Sequence, residues 1–118
     1  MTDKNSTLFF VQLTEREQDV IRQCMNTIFK SPYIDNPEFE TRLGIDRKAL
    51  QKVMQCWPDL NDSDEHSVVF LAINNCLNEI CYGIDISPSD WALWFDASIE
   101  DVRAVFEKWC RIRSAANP

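Results

Sequence analysis

The side chains that could support catalysis or bind a metal ion are few and widely spaced. The chain has five cysteines, an odd number, and no two of them have the Cys-x-x-Cys spacing of a zinc or redox motif. His66 is the single histidine, and we expect it at the surface because it follows four acidic residues. Gly44 and Gly83 are isolated, so the sequence has no glycine-rich loop that could hold a phosphate. These patterns predict no catalytic, cofactor-binding or metal-binding residue, and a protein that is not an enzyme.

An acidic connector, residues 58–64, is the one segment whose composition suggests a calcium site. A calcium loop of the EF-hand type has glycine at its sixth position and glutamate at its twelfth. Those positions hold Asp64 and Phe70, so we interpret the segment as a turn at the surface. Asp62 and Glu65 have the spacing of a capping box and would begin the helix that follows.

Charge is distributed unevenly along the 118 residues. The 12 Lys and Arg residues and the 19 Asp and Glu residues give a net charge of −7. Residues 1–57 carry eight acids and eight bases, whereas residues 58–118 carry eleven acids and four bases. The second half would therefore repel nucleic acid and anionic membranes, which bind positive surfaces. Nucleic-acid binding is disfavoured for the chain as a whole, and only the first half could present a small basic face.

No segment has the length of a membrane span or the apolar core of a signal peptide. The longest apolar run, residues 68–73, has six residues, whereas a transmembrane helix needs roughly 20. Free cysteines suit a reducing compartment. We therefore expect a cytoplasmic protein that does not associate with membranes, and no small-molecule substrate is evident.

Capping residues and the spacing of apolar residues predict an all-α fold. Thr14 and Glu17 form a capping box, Asp46 and Ser98 are N-cap candidates, and Gly44 is suited to end a helix. The composition, 45% hydrophobic and 26% charged, is that of an ordinary globular domain. Only two glycines and five prolines are present, which disfavours a β architecture with many turns. The six predicted helices cover about residues 15–30, 37–43, 47–57, 64–82, 88–95 and 99–113.

The chain also contains an internal repeat with an offset of 52 residues. It predicts one compact domain over residues 1–118, built from two tandem three-helix units. Unit one covers about residues 13–57 and unit two about residues 65–109. The identical pairs are Ile21/Ile73, Cys24/Cys76, Asn26/Asn78, Ile28/Ile80, Ile34/Ile86, Val53/Val105 and Trp57/Trp109.

Unit one resembles a helix-turn-helix of the LuxR type. The resemblance rests on LTERE at residues 13–17 and on RLGID at residues 42–46, and it covers less than half of the chain. It implies that the helix over residues 46–57 would lie in the major groove of DNA. The side chains that would then contact DNA are Arg47, Lys48, Gln51 and Lys52. These residues equally fit the solvated face of an amphipathic helix.

Aromatic residues in the predicted fifth helix suggest a protein-binding surface. Trp91 and Trp94 lie three residues apart, and a short helix in a small domain cannot bury both indoles fully. The predicted binding residues are these two tryptophans with Asp90 and Asp96, and the exposed rings of Phe9 and Phe10 could extend the patch.

Three functional hypotheses follow from these patterns. The leading one is a non-enzymatic interaction or regulatory module whose partner is another protein or a second copy of itself, as in a homodimer. The second is a DNA-binding regulator that uses the 46–57 helix, and the third is an acidic DNA mimic or inhibitor. Four asparagines fit either a satisfied core network or an interface, namely Asn26, Asn74, Asn75 and Asn78.

Overall fold

The computed structural model describes residues 9–30, 33–57, 59–62 and 67–116. These residues contain six α-helices and no strand, so the predicted all-α class is confirmed. Their radius of gyration of 13.9 Å is that of a compact domain of this length. The helices are α1 (Glu15–Lys30), α2 (Asn36–Leu43), α3 (Arg47–Gln55), α4 (Val68–Asn78), α5 (Pro88–Trp94) and α6 (Ile99–Ala116).

The helices begin where the sequence places capping side chains. Thr14 and Glu17 form the predicted capping box, in which each side chain accepts a hydrogen bond from the other residue's backbone N–H, at 3.1 and 2.8 Å. The carboxylate of Asp46 accepts the amide of Ala49 at 2.8 Å and so caps α3. The hydroxyl of Ser98 caps α6 in the same way. Local hydrogen bonding therefore sets these helix starts.

The core lies between the first helices of the two units, α1 and α4, which pack against each other. α1 also contacts α3 and α6, and α4 contacts α2, α3 and α6, so each central helix touches both units. Burial of their apolar faces excludes water from the middle of the domain. The largest fully buried side chains are Trp109, Phe10, Phe39, Ile21, Met25 and Ile28.

The 52-residue offset stays a prediction, and some positions of the two predicted units can be compared at it. α5 begins 52 residues after α2, and α6 begins 52 residues after α3. The amide side chain of Gln23 in α1 donates to the carboxylate of Asp96 at 2.7 Å. At the corresponding position of α4, the amide of Asn75 donates to the carbonyl of Leu43 at 2.7 Å. The first helix of each predicted unit thus binds at or just after the end of the other predicted unit's second helix, while the repeat itself stays a prediction.

The fourth helix differs from its predicted extent of 64–82. It begins at Val68, is capped by Ser67, and continues after Asn78 as a π-helical segment, Glu79–Gly83. The carboxylate of Glu79 is buried and pairs with the guanidinium of Arg42 on α2. The residues that would form the earlier part of the predicted helix lie outside the described residues, namely Ser63, Asp64, Glu65 and His66.

Two expectations for the N-terminal segment and the connector are wrong. Phe9 and Phe10 are not part of an exposed patch, because they are only 3% and 1% exposed. Asp62 is not a surface residue either, because it is fully buried and accepts the backbone N–H groups of both phenylalanines, at 3.0 and 2.8 Å. The ring of Phe9 contacts Trp109, and that of Phe10 contacts Trp57, both edge to face. The connector thus clamps the N-terminal segment onto both units.

Candidate protein-binding surface around α5

The fifth helix is placed on the surface of unit two by a short capped turn. The hydroxyl of Ser87 accepts the backbone amide of Asp90 at 3.2 Å, and Pro88 occupies the first turn. No side chain of α5 is fully buried, although the helix contains Leu93 and two tryptophans. Leu93 is 75% exposed, which is unusual for a large aliphatic side chain. Apolar groups of α5 therefore remain in contact with water.

Both tryptophans of α5 are half-buried and held by neighbouring groups. The Nε1–H of Trp91 donates to the carbonyl of Ala97 at 2.8 Å, and its ring stacks on Phe95 with centroids 4.0 Å apart. The ring of Trp94 meets Tyr33 of unit one edge to face at 6.4 Å. Fixed aromatic rings that are only partly covered can bind a partner with little loss of conformational entropy. Both indoles thus lie at the surface, as the sequence suggests.

The two acidic residues predicted to join this surface are engaged within the chain. Asp90 accepts a 2.6 Å hydrogen bond from the hydroxyl of Tyr33. Asp96 accepts from Gln23 at 2.7 Å and pairs with Arg16 at 2.9 Å. The hydrogen bond from Gln23, followed by the bond and charge of Arg16, holds the pKa of Asp96 below its ordinary value. These carboxylates position α5 and its following turn against unit one.

A cleft of about 490 Å³ lies beside α5. Its walls are mostly aliphatic and aromatic, and Asp85 and Arg103 are the charged residues that line it. The guanidinium of Arg103 donates to the carbonyl of Cys81 at 3.0 Å and lies 5.2 Å from the ring centre of Tyr82. The apolar lining residues are Ile80, Ile84, Ile86, Pro88, Trp91 and Ile99.

The four residues predicted to contact DNA from α3 differ in their exposure to water. Lys48, Gln51 and Lys52 are exposed, as a DNA-binding face requires. Arg47 is half-buried and folded back onto the loop before α2 and onto that helix, where its guanidinium covers the ring of Phe39 at 4.5 Å. Arg47 therefore has a structural role in the domain.

The asparagines predicted as a cluster separate into different environments. The side-chain oxygen of Asn74 accepts from the indole of Trp109 at 3.1 Å and from Arg113 at 3.0 Å. Asn75 makes the contact between units described above, whereas Asn78 is exposed and Asn26 is half-buried. Asn74 and Asn75 are thus satisfied polar groups within the domain.

Three of the five cysteines are buried in the described part of the chain, namely Cys24, Cys76 and Cys81. Burial raises the pKa of Cys24 and Cys76 well above the ordinary value of a thiol, and it raises the pKa of Cys81 to about 11. Such thiols stay protonated and unreactive at neutral pH. The described part of the chain contains no group of three or more potential metal ligands.

Leu93 and the cleft are the parts of this surface that sequence reasoning missed. In the sequence, Leu93 lies between the two tryptophans. The spacing of apolar residues in a seven-residue helix does not show which of them face water. The cleft is lined by side chains within residues 80–103, and it forms only when the π-helical segment, α5 and the start of α6 pack together. No protein-family model matches the sequence, and no curated protein or solved structure matches it significantly.

Among the described helices, none combines the length and apolar character needed to cross a membrane.

Proposed function

We propose that this protein is a non-enzymatic interaction module that binds another protein chain through α5. The observation that carries the proposal is the incomplete burial of the large apolar residues of α5. Leu93 is 75% exposed, Trp91 and Trp94 are half-buried, and Trp91 lines a cleft. A patch of aromatic and aliphatic side chains that water contacts is typical of a protein interface.

The positioning of the helix supports the same function. Hydrogen bonds from Tyr33 to Asp90 and from Gln23 to Asp96 hold both ends of α5 against unit one. A rigid helix loses little entropy on binding, so more of the contact energy remains as affinity. Asp90 and Asp96 thus help to fix the helix, and they remain predicted partner-binding residues.

Site-specific photo-crosslinking in the cells that naturally make the protein tests this proposal. The photoreactive residue p-benzoyl-phenylalanine is placed at position 93 in one variant and at position 11 in the control. Val11 is also apolar and exposed, at 53%, but it lies outside α5. We expect an adduct with one main protein from position 93 and none from position 11. An adduct of twice the chain mass would show that the partner is a second copy.

The result that would overturn the proposal is equally definite. Equal labelling from positions 93 and 11, or no adduct from position 93, would mean that Leu93 does not face a partner. Purified protein from each variant should keep the helical circular dichroism of the wild type. That control separates loss of contact from loss of fold.

A second candidate function is DNA binding through α3. It is favoured by the turn between α2 and α3, where Gly44 adopts a positive φ of 73°, and by the exposure of Lys48 and Lys52. Fluorescence anisotropy of a labelled mixed-sequence duplex should then show affinity that falls steeply with salt. The double variant Lys48→Ala/Lys52→Ala should flatten this dependence, whereas Lys30→Ala on α1 should not. No binding at low salt would exclude this function.

A further inference from the structure

We propose that the cleft beside α5 binds the guanidinium group of an arginine side chain from the partner protein. The proposal rests on the interaction function proposed for α5 and names the chemistry of the partner. Its basis is a comparison of equivalent places in the two units. In unit one, the space between the turn before α2 and the start of α3 is filled by an arginine of the chain itself. In unit two, the corresponding space between the turn before α5 and the start of α6 is open.

Arg47 shows how unit one fills the place. It is the first residue of α3, and its Nη2 donates to the carbonyl of Ile34 at 2.7 Å, while its Nη1 donates to the carbonyl of Phe29. Its Nε donates to the side-chain oxygen of Asn36 at 2.7 Å. The guanidinium also lies 4.5 Å from the ring centre of Phe39. Backbone carbonyls and an aromatic ring thus form a complete guanidinium site.

The same positions of unit two form the cleft. The first residue of α6 is Ile99, so the side chain that would fill the place is too short and has no donor. The fourth residue of α5 is Trp91, where the fourth residue of α2 is Phe39. Ile86 precedes α5 by two residues, as Ile34 precedes α2. Ile86, Trp91 and Ile99 all line the cleft.

One guanidinium already binds the edge of this cleft. Arg103 donates to the carbonyl of Cys81, which corresponds to the Phe29 carbonyl that Arg47 binds in unit one. Its side chain is directed along Tyr82, at 5.2 Å, so the counterparts of Ile34 and Phe39 remain as cleft wall. In both units an arginine of the chain therefore binds the backbone carbonyl at this position. In unit two, an arginine of the chain binds only one of the two carbonyls that correspond to those of Phe29 and Ile34.

Charge also favours a cationic occupant over an anionic one. Residues 79–107 contain seven acids and a single base, Arg103. Asp85 lines the cleft and could pair with an entering guanidinium through both carboxylate oxygens. Tryptophan is the aromatic side chain that attracts cations most strongly. A planar guanidinium also matches the flat ring better than an ammonium does, so we expect arginine to bind more tightly than lysine.

The test is an NMR titration of the full chain with N-acetyl-arginine methylamide. We expect saturable shifts of the Trp91 indole N–H and of the backbone amides of Ile86 and Ile99, with a dissociation constant on the order of millimolar. The blocked lysine and glutamate compounds should bind at least about tenfold more weakly than the arginine compound. Asp85→Asn should weaken arginine binding severalfold, because it removes the carboxylate partner.

Ile99→Arg provides a second, independent variant. It places at the start of α6 the residue that unit one has at the start of α3, so the new side chain should fill the cleft and abolish binding of the arginine compound. Ser114→Arg adds the same charge near the other end of α6 and should leave binding unchanged. Equal shifts with the lysine or glutamate compound, no shifts, or unchanged binding to Ile99→Arg would each overturn the proposal.

The two proposals fail in different experiments. Loss of arginine binding with crosslinking from position 93 retained would reject the guanidinium site alone. Arginine binding without a crosslink would reject the interaction function of α5. The Asp85→Asn variant keeps the test valid if Ile99→Arg folds poorly.

Discussion

Replacing Asp62 by asparagine tests whether the connector clamps the N-terminal segment. The buried carboxylate accepts the N–H groups of Phe9 and Phe10 at 3.0 and 2.8 Å. An asparagine amide keeps one acceptor oxygen but turns an NH₂ donor toward the second N–H. A hydrogen bond to a charged group contributes about 1.5–3 kcal/mol, and a buried polar group without a partner costs about 1–3 kcal/mol. We therefore expect Asp62→Asn to lower the free energy of unfolding by about 2–3 kcal/mol.

The packing of the two phenylalanines sets an upper limit for this clamp. Burying each ring contributes about 1.5–3 kcal/mol, so the two together hold the segment by about 3–6 kcal/mol. In Asp62→Ala both N–H groups lose their acceptor, which costs about 2–6 kcal/mol. The alanine variant should thus bring the segment to the point of release and increase the exposure of the rings of Trp57 and Trp109, while the asparagine variant should keep it docked. Quenching of tryptophan fluorescence by iodide distinguishes the two states.

Urea denaturation measures the stability change directly. With a slope of about 1–3 kcal/mol per molar urea, the Asp62→Asn midpoint should fall by about 1 M. Asp59→Asn is the matched control, because Asp59 is an exposed acid in the same connector. A midpoint for Asp62→Asn within experimental error of the Asp59→Asn control would refute the clamp.

The stability difference between the wild type and Asp62→Asn should depend on pH in a defined direction. Burial raises the pKa of Asp62 more than its hydrogen bonds to Phe9 and Phe10 lower it, so the folded pKa lies above the value of 3.8 expected for the unfolded chain. The folded state then takes up this proton more readily than the unfolded state. The stability advantage of the wild type over Asp62→Asn should widen as the pH falls through the folded pKa toward 3.8. A pH-independent difference would contradict this assignment.

Three further predictions concern other contacts. Gly83→Ala should lower the urea midpoint, because the added Cβ would overlap the Oε1 of Glu79 and push that carboxylate away from its arginine partner on α2. Lys108→Met should lower the free energy of unfolding by at most about 1 kcal/mol, because it removes the ion pair with Glu17. Burial raises the pKa of Glu17, but the hydrogen bonds from Lys108 and the capping turn lower it by more, so the folded pKa lies below 4.5. The loss of stability in Lys108→Met should therefore be present above pH 4.5 and disappear as the pH falls through the folded pKa. Cys56→Ser should remove the fastest-reacting thiol in an Ellman assay of the native protein, since Cys56 is exposed.

The helices could be predicted because their signals are local. The capping box of Thr14 and Glu17, the N-caps of Asp46 and Ser98 and the left-handed Gly44 each act within a few residues of a helix end. The structure shows all of them in those roles. Helix starts follow from such groups, because an unsatisfied terminal amide is costly wherever the helix lies.

The clamp and the role of Arg47 could not be predicted, because both depend on distant segments. Asp62 binds residues more than 50 positions earlier in the chain, and its charge and connector sequence are those of a surface turn. Arg47 fits the polar face of α3, yet its long side chain at the first helical position reaches back to Phe29 and Ile34. Periodicity describes the direction of Cβ and not the end of a long side chain.

The candidate site could be predicted in part. The exposure of Trp91 and Trp94 followed from the small size of the domain and the shortness of α5. The cleft did not, because it depends on how the π-helical segment, α5 and the start of α6 pack against one another, and no local pattern shows that packing.

The N-terminal clamp also determines the order in which this chain can mature during its synthesis. Phe9 leaves the ribosome early, but its contact Trp109 is made 100 residues later. The segment therefore has no complete docking place until Trp109 has been made, so its full attachment must follow the synthesis of both units. Until then Phe9 lacks the tryptophan that covers its ring in the folded domain.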